Sequence, residues 1–575
     1  MLYAAGRSRS GLIRFGFFEV DQRSGELRRQ GVKVKLQEQP FLLLQMLLEH
    51  PGKIITREEL QKRIWPSDTF VDFEQGLNNA AKRLREALSD SADAPSFIET
   101  IPRRGYRFIA SINASSRQME SLVVLPLENL SRDPEQEYFA DGLTEAVINS
   151  LAKIAALQVI SRTTAMRYKK TDKTLPQIAR ELNVDAIIEG TVLRSGERVR
   201  ISVQLIDAHT DTHLWAQNYD RDLRDILALH AEVAQAVARE VQVKLTPHDY
   251  AHFAHTHPVD PAAYEAYLKG RYYWNRRPAE LGKAIQYFEQ ATTRDPGYAA
   301  AFTGLADCLN SLTAYGIAPQ NEGSVKARHL AQRALEIGDS LAEAHTALAV
   351  ATIYDYYDFS AAEKEFEQAI ELNPRYVHAH AMFSCLLAWM GRYEEAYTEA
   401  QRALRLDPLS SITNSMVGWI YLYGRRYDQA IEQSQKTLEL DPRSGMSWGF
   451  LGWAQSCKSL HESAIASLRK CCEIWPGSTP LSWLGQVYAT AGYRDEALKI
   501  LDQLQELSKQ QYVTPYGIGR IYAALGQKEE AFCWLKTAYD QRANWGVLLK
   551  VDPVFDNLRS DPRFQDLMRR MNFPA

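Results

Sequence analysis

Cysteine is scarce and scattered in this 575-residue chain, with six in all: Cys308, Cys385, Cys457, Cys471, Cys472 and Cys533. No two form a C-x-x-C pair and none has metal-ligand spacing to a histidine, which argues against a disulfide framework and a structural zinc site. They read as small core residues of helices in a reducing compartment. No run of 18 apolar residues exists, so no membrane-spanning helix is expected. The opening "MLYAAGRSRSGLIRFGFFEV" lacks the sustained apolar stretch of a secretory leader. A cytoplasmic location follows as an expectation. A Gly-rich phosphate loop after a strand and a G-x-S-x-G elbow are missing as well. The chain is therefore expected to be no enzyme and to use no cofactor and no metal.

Charge of one sign is also missing overall, since the net charge is only −4. Its distribution is uneven. Residues 1–113 hold 18 Lys+Arg against 14 Asp+Glu, whereas the remainder holds 49 against 57. A basic first segment on an acidic body points to a polyanionic partner for that segment alone. The length suggests three or four domains.

The first hundred residues change period several times. "LIRFGFFEVD" and "VKVKL" read as strands around the turn-like "QRSGELRRQG". "EQPFLLLQMLLEH" has an apolar helical stripe of Phe41, Leu44, Leu47 and Leu48. Thr56 and Glu59 form a capping-box pair ahead of "REELQKRIW", which ends before Pro66. A third helix starts near Asp72. "SFIETIPRRGYRFIAS" then reads as two short strands with Arg103, Arg104 and Gly105 at the bend. In "GLNNAAKRLREAL" the residues Leu77, Ala81, Leu84 and Leu88 make one apolar face, leaving Asn78, Asn79, Lys82, Arg83 and Arg85 outside it. Asn can pair with adenine and Arg with guanine, while Lys or Arg can neutralise phosphate. A solvated basic face is the plainer reading of such a helix taken alone; the basic hairpin beyond it favours DNA.

On "KRLREAL" and "IETIPRRGYRF", the segment from about 12 to 112 resembles the OmpR/PhoB-type winged-helix DNA-binding domains. The resemblance implies that Asn78, Asn79, Lys82 and Arg83 face bases or nearby backbone. It implies that Arg85 reaches phosphate and that Thr100, Arg103 and Arg104 serve the wing. Many relatives place an Arg three residues before the Gly-Tyr pair; Pro102 stands there in this chain, so Arg103 or Arg104 must substitute. Gly105 would permit the turn and Tyr106 would pack inward. About ten residues precede the first strand, too few for a phosphorylatable receiver, so the signal is expected from the C-terminal side.

After the polar linker 113–120, residues 121–247 read as a small α/β domain with a mixed sheet. "SLVVLPLENLS" is a buried strand, "YFADGLTEAVINSLAKI" an amphipathic helix, and "RSGER" a hairpin turn. "DGLTE", "GTV" and a late Trp and Tyr resemble the TolB-N-terminal-like domain of CadC-like regulators, which in those relatives follows a transmembrane helix. Here only the linker precedes it. Asp141, Glu145, Asp185, Glu189, Asp207, His209, Asp211 and His213 are its polar candidates. "DAHTDTH" has the outline of a metal cluster, but such residues at a hairpin tip are more simply solvated.

From about 260 the chain repeats. Pro374, Pro408, Pro442 and Pro476 are 34 residues apart, each with an alanine twelve residues earlier: Ala362, Ala396, Ala430 and Ala464. This period of paired helices resembles tetratricopeptide repeats. About eight repeats are expected over 260–545, with an insertion near 315–323 and a capping tail over 546–575. The resemblance implies a superhelix whose concave face takes a protein or peptide. Trp389, Trp419, Tyr423, Trp448, Trp453 and Trp483 are expected mostly to fill gaps between helices. The expected fold is thus multidomain: a winged helix-turn-helix over 1–112, a small α/β domain, then an all-α tetratricopeptide superhelix. The expected role is a cytoplasmic one-component transcription regulator on double-stranded DNA, away from membranes. Homodimerisation on DNA stays open, as does the alternative of an interaction scaffold whose winged helix binds protein.

Overall fold

The computed structural model describes residues 12–573, leaving aside 16–17, 22–23, 30–31, 66–72, 89, 93–94, 111–118, 132, 155, 209, 242, 244, 247–257, 319 and 339–340. The chain divides into two compact units between Gln118 and Met119.

The first unit opens with β1 (Leu12–Phe15), β2 (Phe18–Asp21), β3 (Glu26–Arg29) and β4 (Val32–Val34), an antiparallel sheet in sequence order. Periodicity suggests two strands here, and the structure has four. The first apolar run folds back on itself as a hairpin, and the turn-like segment contains β3. Leu27 is the one buried residue of β3, facing buried Val20 across the ladder. One apolar residue among charges leaves no alternation to read.

Then come α1 (Glu38–Glu49), β5 (Ile54–Thr56), α2 (Arg57–Ile64), α3 (Phe73–Leu88), β6 (Ile98–Ile101) and β7 (Gly105–Phe108). The residue expected to open the third helix, Asp72, lies outside the described residues. The stripe of α1 is buried, and Leu43 and Met46 broaden it. Thr56 and Glu59 form the expected capping box at α2. β7 is the centre of a three-stranded sheet between β5 and β6. The rings of Phe15 and Phe108 meet edge to face at 5.0 Å, fastening the first sheet to this one.

The second unit begins with β8 (Ser121–Val124), β9 (Glu128–Asn129), α4 (Glu137–Ala152), β10 (Gln158–Val159), α5 (Arg162–Ala165) and α6 (Leu175–Leu182). β11 (Ala186–Ser195), β12 (Arg198–Asp207), β13 (Thr212–Asp222) and α7 (Ile226–Glu240) follow. The mixed sheet runs β10-β8-β11-β12-β13, with β9 beside β11. β10, β8 and β11 are parallel, and the later pairs are antiparallel hairpins. Leu122, Val123 and Val124 of β8 are all fully buried, as a strand covered on both faces requires.

The remainder is a helical array resembling a tetratricopeptide superhelix. Among the described residues it has eight antiparallel helix pairs, from α8 (Pro261–Trp274) and α9 (Leu281–Arg294) to Pro515–Ala524 and Lys528–Asp540. Ala284, Ala362, Ala396, Ala430 and Ala464 are fully buried, where the two helices of a pair touch. A Cβ at Gly452 would sit 2.8 Å from Leu468, so that crossing requires glycine. The aromatic residues do fill gaps. Trp419 meets Tyr423 at 4.7 Å, Tyr423 meets Trp453 at 5.4 Å, and Trp453 meets Trp483 at 6.2 Å. Trp448 is only half-buried, its indole N–H donating to the Pro442 carbonyl at 3.0 Å. Of the cysteines, Cys308, Cys385 and Cys471 are buried as expected, but Cys533 is exposed.

The array does not stand apart from the α/β domain. Leu268 of α8 packs against Gly142 of α4, where a Cβ would meet it at 2.7 Å. Arg271 of α8 donates to Glu145 of α4, with Nε at 2.8 Å. Arg162 of α5 lies 3.1 Å from the other Glu145 oxygen, and Asn275 donates to it at 3.2 Å. Farther along, the Thr164 hydroxyl donates to buried Asp407 at 2.8 Å, after the fourth helix pair.

Candidate nucleic-acid interface

Helix α3 buries Leu77, Ala80, Ala81, Leu84 and Leu88, which turns the opposite side to solvent. Asn78, Asn79, Lys82 and Arg83 are all exposed there. Lys82 and Arg83 lie one helical turn beyond Asn78 and Asn79, so the four side chains share a strip on the helix.

Asn78 does more than face outward. Its side-chain carbonyl accepts from Arg57 of α2 and from the Tyr106 hydroxyl of β7, each at 3.1 Å. Arg57 in turn pairs with Glu74 at 2.9 Å. The Tyr106 ring lies between two guanidinium groups, Arg57 at 5.7 Å and Arg85 at 5.9 Å. Burial raises the Tyr106 hydroxyl above its ordinary range, so it stays a donor. This cluster fixes the angle between α2, α3 and the hairpin, and leaves the Asn78 amide N–H groups for a ligand.

Arg85 and Thr100 are brought together. The Arg85 guanidinium donates to the Thr100 hydroxyl at 2.6 Å and to the Ile98 carbonyl at 2.9 Å. Arg85 is thus held against β6, which ties the helix to the hairpin. Arg83 donates to Gln37, and both side chains are exposed. Arg57, Tyr106 and Gln37 belong to the site's geometry, and periodicity offers no signal for them.

Residues 102–104 form the bend between β6 and β7, with Pro102, Arg103 and Arg104 exposed. The left-handed residue is Arg103, at φ 62°. Gly105 is needed for another reason: a Cβ there would overlap the Ile55 carbonyl oxygen of β5. The bend is pinned at its base, where the Arg57 N–H donates to the Arg104 carbonyl at 3.1 Å.

Several basic residues of this unit are matched by carboxylates, as in Arg28–Glu26, Arg57–Glu74, Arg63–Glu49 and Arg107–Glu99. Lys82, Arg83, Arg103 and Arg104 have no carboxylate partner among the described residues. A cationic strip on an exposed helix beside a cationic hairpin tip suits an anionic backbone.

Four polar candidates of the α/β domain, Asp141, Glu145, Asp185 and Asp207, take structural places. Asp141 pairs with Lys169 at 2.5 Å. Asp185 accepts from the Ser121 N–H at 3.1 Å and hydroxyl at 2.7 Å. Burial alone would raise the Glu145 carboxyl, but Arg271 and Arg162 hold it below the usual range. Glu189 is half-buried on β11, and Asp207 ends β12, accepting from the Thr210 N–H. Asp211 and His213 are exposed, and His209 lies outside the described residues.

A helix-turn-helix core with a basic recognition helix and a β-hairpin wing defines the winged-helix class of DNA-binding domain. Residues 31–108 match the family model described as "Transcriptional regulatory protein, C terminal". Residues 117–236 match "HilA/YgeH-like transcriptional regulator, second domain". The chain therefore carries an OmpR/PhoB-type winged helix, a second domain of the HilA kind and a tetratricopeptide-like helical region. A putative adenylate cyclase 3 of Rhizobium meliloti is 34% identical over 48% of this chain and 41% of that protein. The transcriptional regulator HilA of Salmonella paratyphi A is 24% identical over 65% of this chain and 66% of its own length. The phosphate regulon regulatory protein PhoB of Rhizobium meliloti is 34% identical over 17% of this chain and 42% of its own. The chain thus spans 41% to 66% of these curated relatives. Among the described residues no helix is long and apolar enough to cross a membrane.

Proposed function

We propose that this protein regulates transcription in the cytoplasm by binding duplex DNA through α3 and the β6–β7 hairpin, with the second unit receiving the signal. The observation that carries this reading is the strip of Lys82, Arg83, Arg103 and Arg104, without carboxylate partners among the described residues, on a helix and a hairpin joined through Asn78, Arg57 and Tyr106. Asn78, Asn79 and Arg83 would read base edges, and Lys82, Arg103 and Arg104 would contact phosphate. Arg85 and Thr100 would serve by setting the angle of the hairpin. Both family models describe regulators, which supports a role without catalysis. A protein or peptide partner on the inner face of the array would share that wall with the chain's own Trp545 and Val547. Pairing of two copies on adjacent half-sites belongs to the same reading, since it raises affinity without new base contacts.

The test is DNA affinity of the full chain against salt. Arg83→Ala is expected to relax sequence preference at a cost of about 1–3 kcal/mol. Replacing Lys82, Arg103 and Arg104 by alanine should flatten the slope of log affinity against log salt, by about 0.9 for each phosphate that is no longer neutralised. Equal affinity for the parent and a variant lacking Arg83, Arg103 and Arg104 would overturn the reading.

A further inference from the structure

A cavity of about 800 Å³ lies between the α/β domain and the first repeats. Helices α4 and α7 line one side, and α8 and the helix Ala299–Ala314 line the other. All of them belong to one compact unit. The volume falls within the roughly 300–1,000 Å³ of sites that enclose small molecules.

Polar groups at this cavity are left unused. Asp307 is 5% exposed and Tyr298 is 4% exposed. Among the described residues, nothing donates to the Asp307 carboxylate and the Tyr298 hydroxyl has no partner. These oxygens keep accessible surface, unlike the sealed hydroxyl of Tyr423. Tyr298 lines this cavity, and Asp307 sits where it meets a smaller apolar space. Arg271, the charge that acts most strongly on Asp307, lines the larger of the two. A buried polar group open to a cavity, with no protein partner, is a place for a ligand to bond.

The unpaired charges differ in sign and stand apart. Glu145 is occupied by Arg271 and Arg162, and Glu336 by Arg333. Asp307 and half-buried Glu343 are near each other and form no ion pair among the described residues. Lys153, the residue that caps α4, has no carboxylate partner there either. Glu145, Asn149 and Lys153 recur every four residues, so they follow one side of α4. Eight residues of helix put Lys153 about 12 Å along the axis from the Glu145–Arg271 pair, beside which Asp307 lies. Burial lowers the His230 imidazole beside Lys153 to about 4, so it adds no charge to that end. Leu227, Leu335 and Leu341 supply apolar surface to the same cavity.

An ammonium answers Asp307 and Glu343, and a carboxylate answers Lys153. Extended chain covers about 3.3–3.6 Å per residue, so about three residues span the interval. We propose that this cavity binds a short peptide of about three residues with both ends free, its ammonium at Asp307 and Glu343 and its carboxylate at Lys153. The Tyr298 hydroxyl would bond to the peptide backbone, and apolar side chains would lie on Leu227 and Leu335. Such a ligand touches α4 and the first repeats together, so occupancy would tighten the α/β domain on the array. Binding there goes beyond the DNA-binding reading and does not rest on it.

The probe is trileucine with free ends, titrated into the full chain by calorimetry. One saturable site is expected. N-acetyl-trileucine, which lacks the ammonium, and trileucine amide, which lacks the carboxylate, should each bind about tenfold more weakly or worse. Asp307→Asn and Lys153→Gln should each weaken the free peptide to the same degree. Lys153→Gln should leave the amide's affinity as it is in the parent, since the amide has no charge for Lys153 to meet. Absence of saturable binding, a blocked peptide that binds as tightly as the free one, or unchanged affinity of the free peptide in either variant would overturn the proposal. The blocked peptides are compared on the parent chain, so that arm stands even where a variant does not fold. No DNA enters this experiment, so its failure leaves the DNA-binding reading to its own test.

Discussion

Asp307 is a buried acid of the helical array whose burial works against its charge. It is 5% exposed and accepts no hydrogen bond among the described residues. Burial pushes its carboxyl up to about 7, while Arg271 and Arg277 pull it down and Glu343 pushes it up. A folded value above the unfolded one means that the protonated acid is favoured in the fold. Its contribution is therefore intact below about pH 4 and is lost as pH rises through about 7. Asp307→Asn should make the protein more stable than its parent at pH 8 by a few kcal/mol, at about 1.4 kcal/mol for every tenfold difference in proton affinity between the folded and unfolded chain. At pH 4 the two should match. Urea unfolding at the two pH values checks this, and an equal gain at both would refute it. Nothing in "GLADCLN" announces such an acid, because its burial depends on α8 and the loop after it. Gly105 shows the same limit from the other side. Its place beside Tyr106 is legible from the sequence, but the reason for glycine is not. The turn is made by Arg103, and Gly105 is required by β5, fifty residues earlier.

At the scale of elements, the sequence is most legible where the pattern is local. The helices α1 to α3, their capping box and the 34-residue pairs all follow from spacing within one element or one repeat. β3 and β5 are not legible, because three or four residues with one buried side chain carry no period. The "DGLTE" segment of α4 is instructive. Its likeness to other domains is visible in the sequence, but its work is not: Gly142 admits Leu268 and Glu145 receives Arg271, both more than 120 residues away. Arg271→Ala would leave the Glu145 carboxylate buried with Arg162 and Asn275 alone. A loss of about 3–5 kcal/mol is expected, from the usual cost of breaking a buried pair. Thermal or urea unfolding of the full chain measures it, and a loss under about 1 kcal/mol, typical of an exposed pair, would contradict the assignment.

For the whole molecule, the repeat pattern suggests that residues 260–575 should be self-sufficient, since each repeat buries its apolar face on its neighbours. The structure differs at the first repeat. Tyr264 and Leu268 of α8 belong to one core with Leu143, Leu229 and Val233 of the α/β domain. A fragment beginning at residue 260 is therefore expected to expose this face, to bind a hydrophobic dye and to melt well below a fragment beginning at 119. Matching melting curves for the two fragments would show that the shared core adds nothing.

Among the described residues the α/β domain grips the array in two regions, through Glu145 at the first helix pair and through Thr164 and Arg167 beyond the fourth, at Asp407, Leu409 and Leu440. An arch tied at two points cannot change its curvature while both ties hold. The intervening pairs thus have a fixed pitch, set by the distance between α4 and α5 and not by the repeats alone. Tightening or loosening of the coil must begin with release of one tie. Of the two, the region of Thr164 and Arg167, held by hydrogen bonds without a buried ion pair, is the weaker fastening, and the spring would open from its middle.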